Sequence, residues 1–164
     1  MTTTPAGPDP TMEATSHAVT EGQTGNRTAA RQTLLNLWSA IGFTGDPLHR
    51  RTLAHHPADL YKDPAQALAW DIRALDAADA MTEQRPQNHP AGFHPSLHLN
   101  LADNYRRPGT FQAATEHINA TTTHATALPQ NPYNDLLHHT IQQVTWAITR
   151  QDQSPRTSPP GSRT

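Results

Sequence analysis

Residues 99–118 read LNLADNYRRPGTFQAATEHI, and their spacing decides the fold class. Leu101 and Ala102 form a large–small pair, and Tyr105 follows about one turn later. After Gly109 the helical period resumes with Phe111, Ala114 and Ile118. Two helices approach to the lower end of ~8–10 Å only where small residues face each other. Ala102 and Ala114 supply those residues, and Tyr105 and Phe111 fill the space near the turn. Gly109 is free to take the left-handed conformation that ends a helix. The stretch therefore predicts a hairpin: one helix from His94-Pro95 to before Pro108-Gly109, and a second over 111–127 capped by Thr110.

The same reasoning extends outward in both directions. A helix over 29–41 carries Leu34, Leu35, Leu37, Trp38 and Ile41, with Thr28 as its cap and Gly42 and Gly45 after it. Asp46-Pro47 and Asp63-Pro64 repeat one start signal, a capping Asp before a proline at the first helical position. The helix from Pro47 holds Leu48, Leu53 and Leu60, and Pro57 inside it predicts a kink or an early end. The helix from Pro64 to Met81 presents a broad apolar arc with Asp71 inside it. Residues 83–94 are read as a loop, and a last helix over 133–149 carries Tyr133, Leu137, Ile141, Val144 and Ile148 on one stripe. No segment alternates with the period of a strand. The expected fold is all-α, antiparallel hairpins of about six helices over 29–150.

Residues 1–28 and 151–164 are rich in Thr, Pro, Gly and Ser and poor in large apolar side chains, so both are expected to be disordered tails. Only 34% of the 164 residues are hydrophobic, below the usual ~45–50%. A formal net charge of -2 gives no electrostatic footprint for nucleic acid. No apolar run is long enough to span a bilayer, and residues at the N-terminus lack the basic and apolar regions expected of a signal peptide. Cys is absent, which removes disulfides, thiol nucleophiles and Cys-ligated zinc, and a cytoplasmic location is the expectation. Arginine supplies all but one of the basic side chains, Lys62 being the exception, as in a GC-rich bacterial genome.

The pattern Leu101-Ala102, Tyr105, Gly109, Phe111, Ala114, Ile118 resembles the tetratricopeptide repeat (TPR) of small bacterial, actinobacterial-type proteins. A weaker match covers 48–81: Leu53-Ala54 is similar to the large–small pair, while Pro57 stands where the family has an aromatic. Pro108 before the turn glycine and Thr121 in place of a small apolar residue also depart from the family pattern. The resemblance implies a fragment of an α-solenoid, stabilised by neighbouring helices because stacked repeats need about three units. It further implies a protein-interaction module that binds a peptide, a helix or a second copy through the exposed side of its first helices. The matching residues are Arg51 and His55 on the helix from Pro47, and Leu99, Asn100, Asp103, Arg106 and Arg107 on the helix from Pro95. Asn offers both donor and acceptor to a peptide backbone, and Arg offers a fork for a carboxylate. The plainer alternative is that these are solvated helix residues.

Other residues invite sharper readings. Asp71 beside Trp70 needs a partner if buried, and His98, Arg50 and Arg51 are the candidates for an ion pair. The alternative is a general base, making the chain an enzyme or ligand-binding bundle that uses Asp71 and His residues in an internal pocket. Eleven His residues raise the question of a metal, but no HExxH pattern occurs. His94 precedes Pro95 and is expected outside the helix, away from His98. Trp146 falls on the far side of the last helix, either as an anchor for a partner or homodimer or under the C-terminal tail. No GxSxG, Walker or GxGxxG motif occurs, so no catalytic residue, metal or cofactor is expected.

Overall fold

The computed structural model describes residues 7, 9–84 and 93–156. Within them the chain forms seven α-helices: α1 Pro10–Gln23, α2 Arg27–Ile41, α3 Pro47–Leu60, α4 Pro64–Gln84, α5 Phe93–Arg106, α6 Phe111–Ala125 and α7 Pro132–Thr149. Each helix packs on its sequence neighbours, and α1 also meets α3 and α5 meets α7. The largest interfaces are α3–α4 and α5–α6, the two hairpins on which the sequence argument rested. The fold is all-α and built of helical hairpins.

Local chemistry explains the boundaries. Asp46 accepts from the Leu48 amide at 2.8 Å and Asp63 from the Ala65 amide at 3.0 Å, each just before a proline. Thr110 precedes α6 but makes no side-chain cap bond, and Thr28 lies inside α2 rather than ahead of it. Gly109 takes φ +88°, with its amide bonded to Arg106 O and the Thr110 amide to Tyr105 O. That is the left-handed helix ending the sequence called for. The end of α7 has the same hydrogen-bond pattern, Gln151 N to Ile148 O and Asp152 N to Ala147 O, but with Gln151 at φ 55°. This turn sends residues 152–156 back towards α5.

Several expectations are corrected. Residues 10–23 are helix rather than tail, and α1 buries Thr15, Ala18 and Gly22. Asp9 caps it, accepting from the Thr11 and Met12 amides. A Cβ on Gly22 would stand 3.2 Å from Ala30 Cβ and 3.3 Å from Leu60 Cδ2, so α1 packs by closeness of small residues and not by large apolar ones. Pro57 does not stop α3, which runs on to Leu60 with Pro57 buried inside it. Pro57 has no N–H to give the Leu53 carbonyl four residues earlier, and the helix ends three residues beyond it. Helix α4 reaches Gln84, and α5 starts at Phe93 with His94 and Pro95 in its first turn; the remainder of the expected 83–94 loop lies outside the described residues, as does 157–164 of the expected C-terminal tail.

The core is three small clusters in series. Ala18, Leu34 and Leu53 join α1, α2 and α3. Ala54, Ala58, Trp70, Ala74, Ala78 and Leu97 join α3, α4 and α5, with Trp38 edge-on to Trp70 at 5.3 Å. Leu99, Ala102, Ala114, Ile118, Leu137, Ile141, Val144 and Ile148 join α5, α6 and α7. Thr121, buried in this region, donates its hydroxyl to His117 O at 3.0 Å and so leaves no orphaned donor.

Candidate functional site

Helices α3 and α5 stand further apart than α1 and α3 or α5 and α7, and the space between them is polar. A cleft of about 110 Å³ lies there, lined by Ala58, Asp59 and Tyr61 from one side, and by Asn100, Asp103, Asn104 and Arg107 from the other. Pro155 and Arg156 of the C-terminal segment complete its wall.

Arg106 organises the α5 side. It is 1% exposed, and its Nε and Nη2 both donate to Asp103 Oδ1, at 3.0 and 2.6 Å. Its Nη1 donates to the carbonyls of Asp152 and Ser154, and Nη2 also donates to Ser154 O at 3.0 Å. A buried guanidinium is tolerated because each face of its fork meets a carboxylate or a carbonyl. Ser154 N in turn donates to Asp152 Oδ1 at 2.8 Å, a bond that also holds the Asp152 carboxyl below its ordinary range. Arg107 bridges to the α3–α4 turn, donating to Lys62 O at 3.0 Å and to Asn104 Oδ1 at 3.2 Å.

Behind this layer lies Asp71, 0% exposed on α4. Asn104 Nδ2 donates to its Oδ2 at 2.6 Å, in place of the ion pair with His98, Arg50 or Arg51 that the sequence suggested. Burial pushes the Asp71 carboxyl up to about 8, against the opposing amides of Asn104 and Asn100. Asp71 Oδ1 and Asn100 Oδ1 are both buried without a hydrogen-bond partner. A proton on the Asp71 carboxyl removes the cost of holding a charge there. Asp59 is likewise raised, to about 6, by burial, with Arg27 acting against it. His55 faces Asn100, Nδ1 to Nδ2 at 3.5 Å, and burial, with His56 and Arg51 nearby, lowers it to about 3.

His98 lies elsewhere. It meets His117, Nδ1 to Nδ1 at 2.9 Å, and stacks on His124, while His94 stacks on His124 and bonds Asp79 at 3.0 Å. His94 is thus on α5 beside His98, correcting the expectation that it would lie outside the helix. Burial first, then the neighbouring imidazoles, lowers His98 to about 4. Among the described residues no group of three or more His, Asp or Glu is arranged to hold a metal ion.

The residues expected to form one exposed binding side are therefore sorted differently. Leu99 is 0% exposed in the α5–α7 core and touches no cleft. Asn100, Asp103 and Arg106 are buried, because residues 152–156 and the α4 side of the network cover them. Arg107 is half-buried at the cleft. Arg51 lies 3.5 Å over the Phe93 ring, and burial lowers it to about 10. Trp146 is 70% exposed beside its own shallow depression on α7, under Arg150 and not under residues 152–156. Sequence reading missed Asp59, Tyr61, Asn104, Asp152, Ser154 and Arg156, of which Asn104 alone carried a signal, one helical turn from Asn100. Comparison of the chain with protein-family models, with curated proteins and with solved structures finds no match. No helix among the described residues is long and apolar enough to cross a membrane.

Proposed function

We propose that this chain is a non-catalytic interaction module of the TPR-like kind, acting in the cytoplasm and holding a segment of a partner protein between α3 and α5. One observation carries the reading: Arg106, buried next to the cleft-lining Asp103 and Arg107, grips two main-chain carbonyls of the segment whose Pro155 and Arg156 form the cleft wall. Carbonyl contacts suit an open chain segment better than a folded helix, whose carbonyls are used internally. Asp71 and His98 belong to separate clusters, and Asp71 is sealed from solvent, which speaks against an enzyme pocket built from the two.

The test places a photo-crosslinking residue at Tyr61, on the cleft wall, or at Phe43, which is 84% exposed elsewhere. The expected result in the native host is a discrete adduct from the Tyr61 position, absent from the Phe43 position and lost when Arg107→Ala is added. Identical adducts from both positions, or adducts indifferent to Arg107→Ala, would sink the reading. Arg107 is the residue to vary because breaking the buried Arg106–Asp103 pair costs about 3–5 kcal/mol of stability.

A further inference from the structure

The cleft is not generic in its polarity. Its lining carries acceptors: the Asp59 and Asp103 carboxyls and Asn104 Oδ1. The donors opposite them are already committed, Arg106 to Asp103 and the segment's carbonyls, and Arg107 to Asn104 and Lys62. Such a lining matches a ligand group that donates and does not accept, and of the donor-only side chains Arg and Lys also answer the charge of the two carboxyls. The chain's own segment makes that match. Arg156 sits half-buried in the cleft wall, and Asp103 favours its charge, although burial and Arg106 draw its pKa down.

Position matters as well as charge. Arg106 takes the carbonyls of residues 152 and 154, and the basic side chain is at 156. Ser154 N turns back onto Asp152 Oδ1, which brings both carbonyls within reach of one guanidinium, and Pro155 then carries the chain to Arg156 in the cleft wall. Gly109 lets the segment approach: a Cβ there would stand 2.8 Å from Gln153 Nε2. The occupant nevertheless leaves about 110 Å³ unfilled, well over the ~10–15 Å³ that one water needs.

We infer that the partner segment is one that places an arginine or lysine two residues after a pair of carbonyls gripped by Arg106, and that Asp152–Arg156 is the chain's own competitor for that site. This rests on the reading of the cleft as a docking surface. A tethered competitor acts at an effective concentration on the order of millimolar, so it sets a threshold that a free segment must exceed. Partners lacking the basic side chain fail to displace it, which makes the segment a filter as well as a cover.

The experiment uses full-length protein and a fluorophore-labelled, end-capped peptide of residues 152–156, DQSPR, with DQSPA as its control; anisotropy is the readout. Wild type is compared with Arg156→Ala and Arg156→Gln, each checked for unchanged helical circular dichroism. The expected result is DQSPR binding at least tenfold tighter to either variant than to wild type, with DQSPA at least tenfold weaker than DQSPR. Excess DQSPR should also speed hydrogen exchange of the wild-type 152–156 amides, which does not depend on any variant folding. Equal binding of DQSPR and DQSPA, or equal binding to wild type and variants, overturns the inference. If neither peptide binds but a randomised peptide pool yields cleft binders sensitive to Arg107→Ala, the basic anchor is wrong and the docking surface survives. If no peptide binds the cleft in any protein, both fall.

Discussion

Replacing Asp71 with Asn isolates the physics of the polar layer between α3, α4 and α5. The carboxyl has an ordinary value of 3.8 and a folded value of about 8, raised by burial. Its folded value is the higher, so its contribution is complete below pH 3.8 and is lost as pH rises through about 8. Across that window the folded chain holds one more proton than the unfolded chain, and each pH unit removes about 1.36 kcal/mol of stability. From pH 5 to pH 8 the loss from this one group is roughly 3–4 kcal/mol. Asn keeps the shape, accepts from Asn104 with its oxygen and carries no titrating proton. Asp71→Asn should therefore match wild type within about 1 kcal/mol at pH 5 and exceed it by roughly 3 kcal/mol at pH 8. Urea unfolding followed by circular dichroism at several pH values reads this as a midpoint difference that grows with pH, by about 1–2 M over the range. Subtracting the variant cancels the histidines, which titrate in the same window. A difference between the proteins that stays flat with pH would mean that Asp71 is charged in the fold, and the account of the layer would be wrong.

Three further outcomes are expected. Leu99→Ala should cost about 2–5 kcal/mol of stability, seen as a lowered melting temperature, because it opens the α5–α7 core; loss of partner binding without loss of stability would contradict its placement. Gly109→Ala should destabilise by roughly 1–2 kcal/mol, since φ +88° strains any Cβ and Gln153 must move, and proteolysis within 152–156 should quicken. The folded value of His98, about 4, lies below its ordinary 6.5, so stability from this group is full above pH 6.5 and is lost as pH falls towards 4. A series of melts should show His98→Asn flattening that acid limb, and an unchanged limb would place the acid sensitivity in other groups.

The hairpins were legible because their signals are local. Capping Asp before Pro, a glycine at the α5–α6 turn and apolar spacing at the helical period each act within a few residues. Helix α1 was not legible, because its buried residues are Thr15, Ala18 and Gly22, and close approach of small side chains leaves no hydrophobic pattern. The binding side of α5 was misread for a related reason. Leu97, Leu99 and Leu101 alternate along a helix, which places apolar groups on opposite sides and marks a helix covered all round. The cover comes from α4, α6, α7 and the 152–156 segment, and the last of these sits in a Ser- and Pro-containing stretch with nothing apolar to announce it. Arg106 was read as an exposed fork for a partner's carboxylate; it is buried instead, holding the Asp103 carboxylate and carbonyls 46 and 48 residues further along the same chain.

That separation gives synthesis a direction. Chains are made at about 5–20 residues per second and fold from the N-terminal side. The 46 residues between Arg106 and Asp152 thus take roughly 2–9 s to make. For that interval Arg106 exists without the two carbonyls that it holds in the finished fold. If the proposed docking holds, a partner present before residues 152–156 are made would meet the site without its competitor, and order of manufacture would matter alongside affinity.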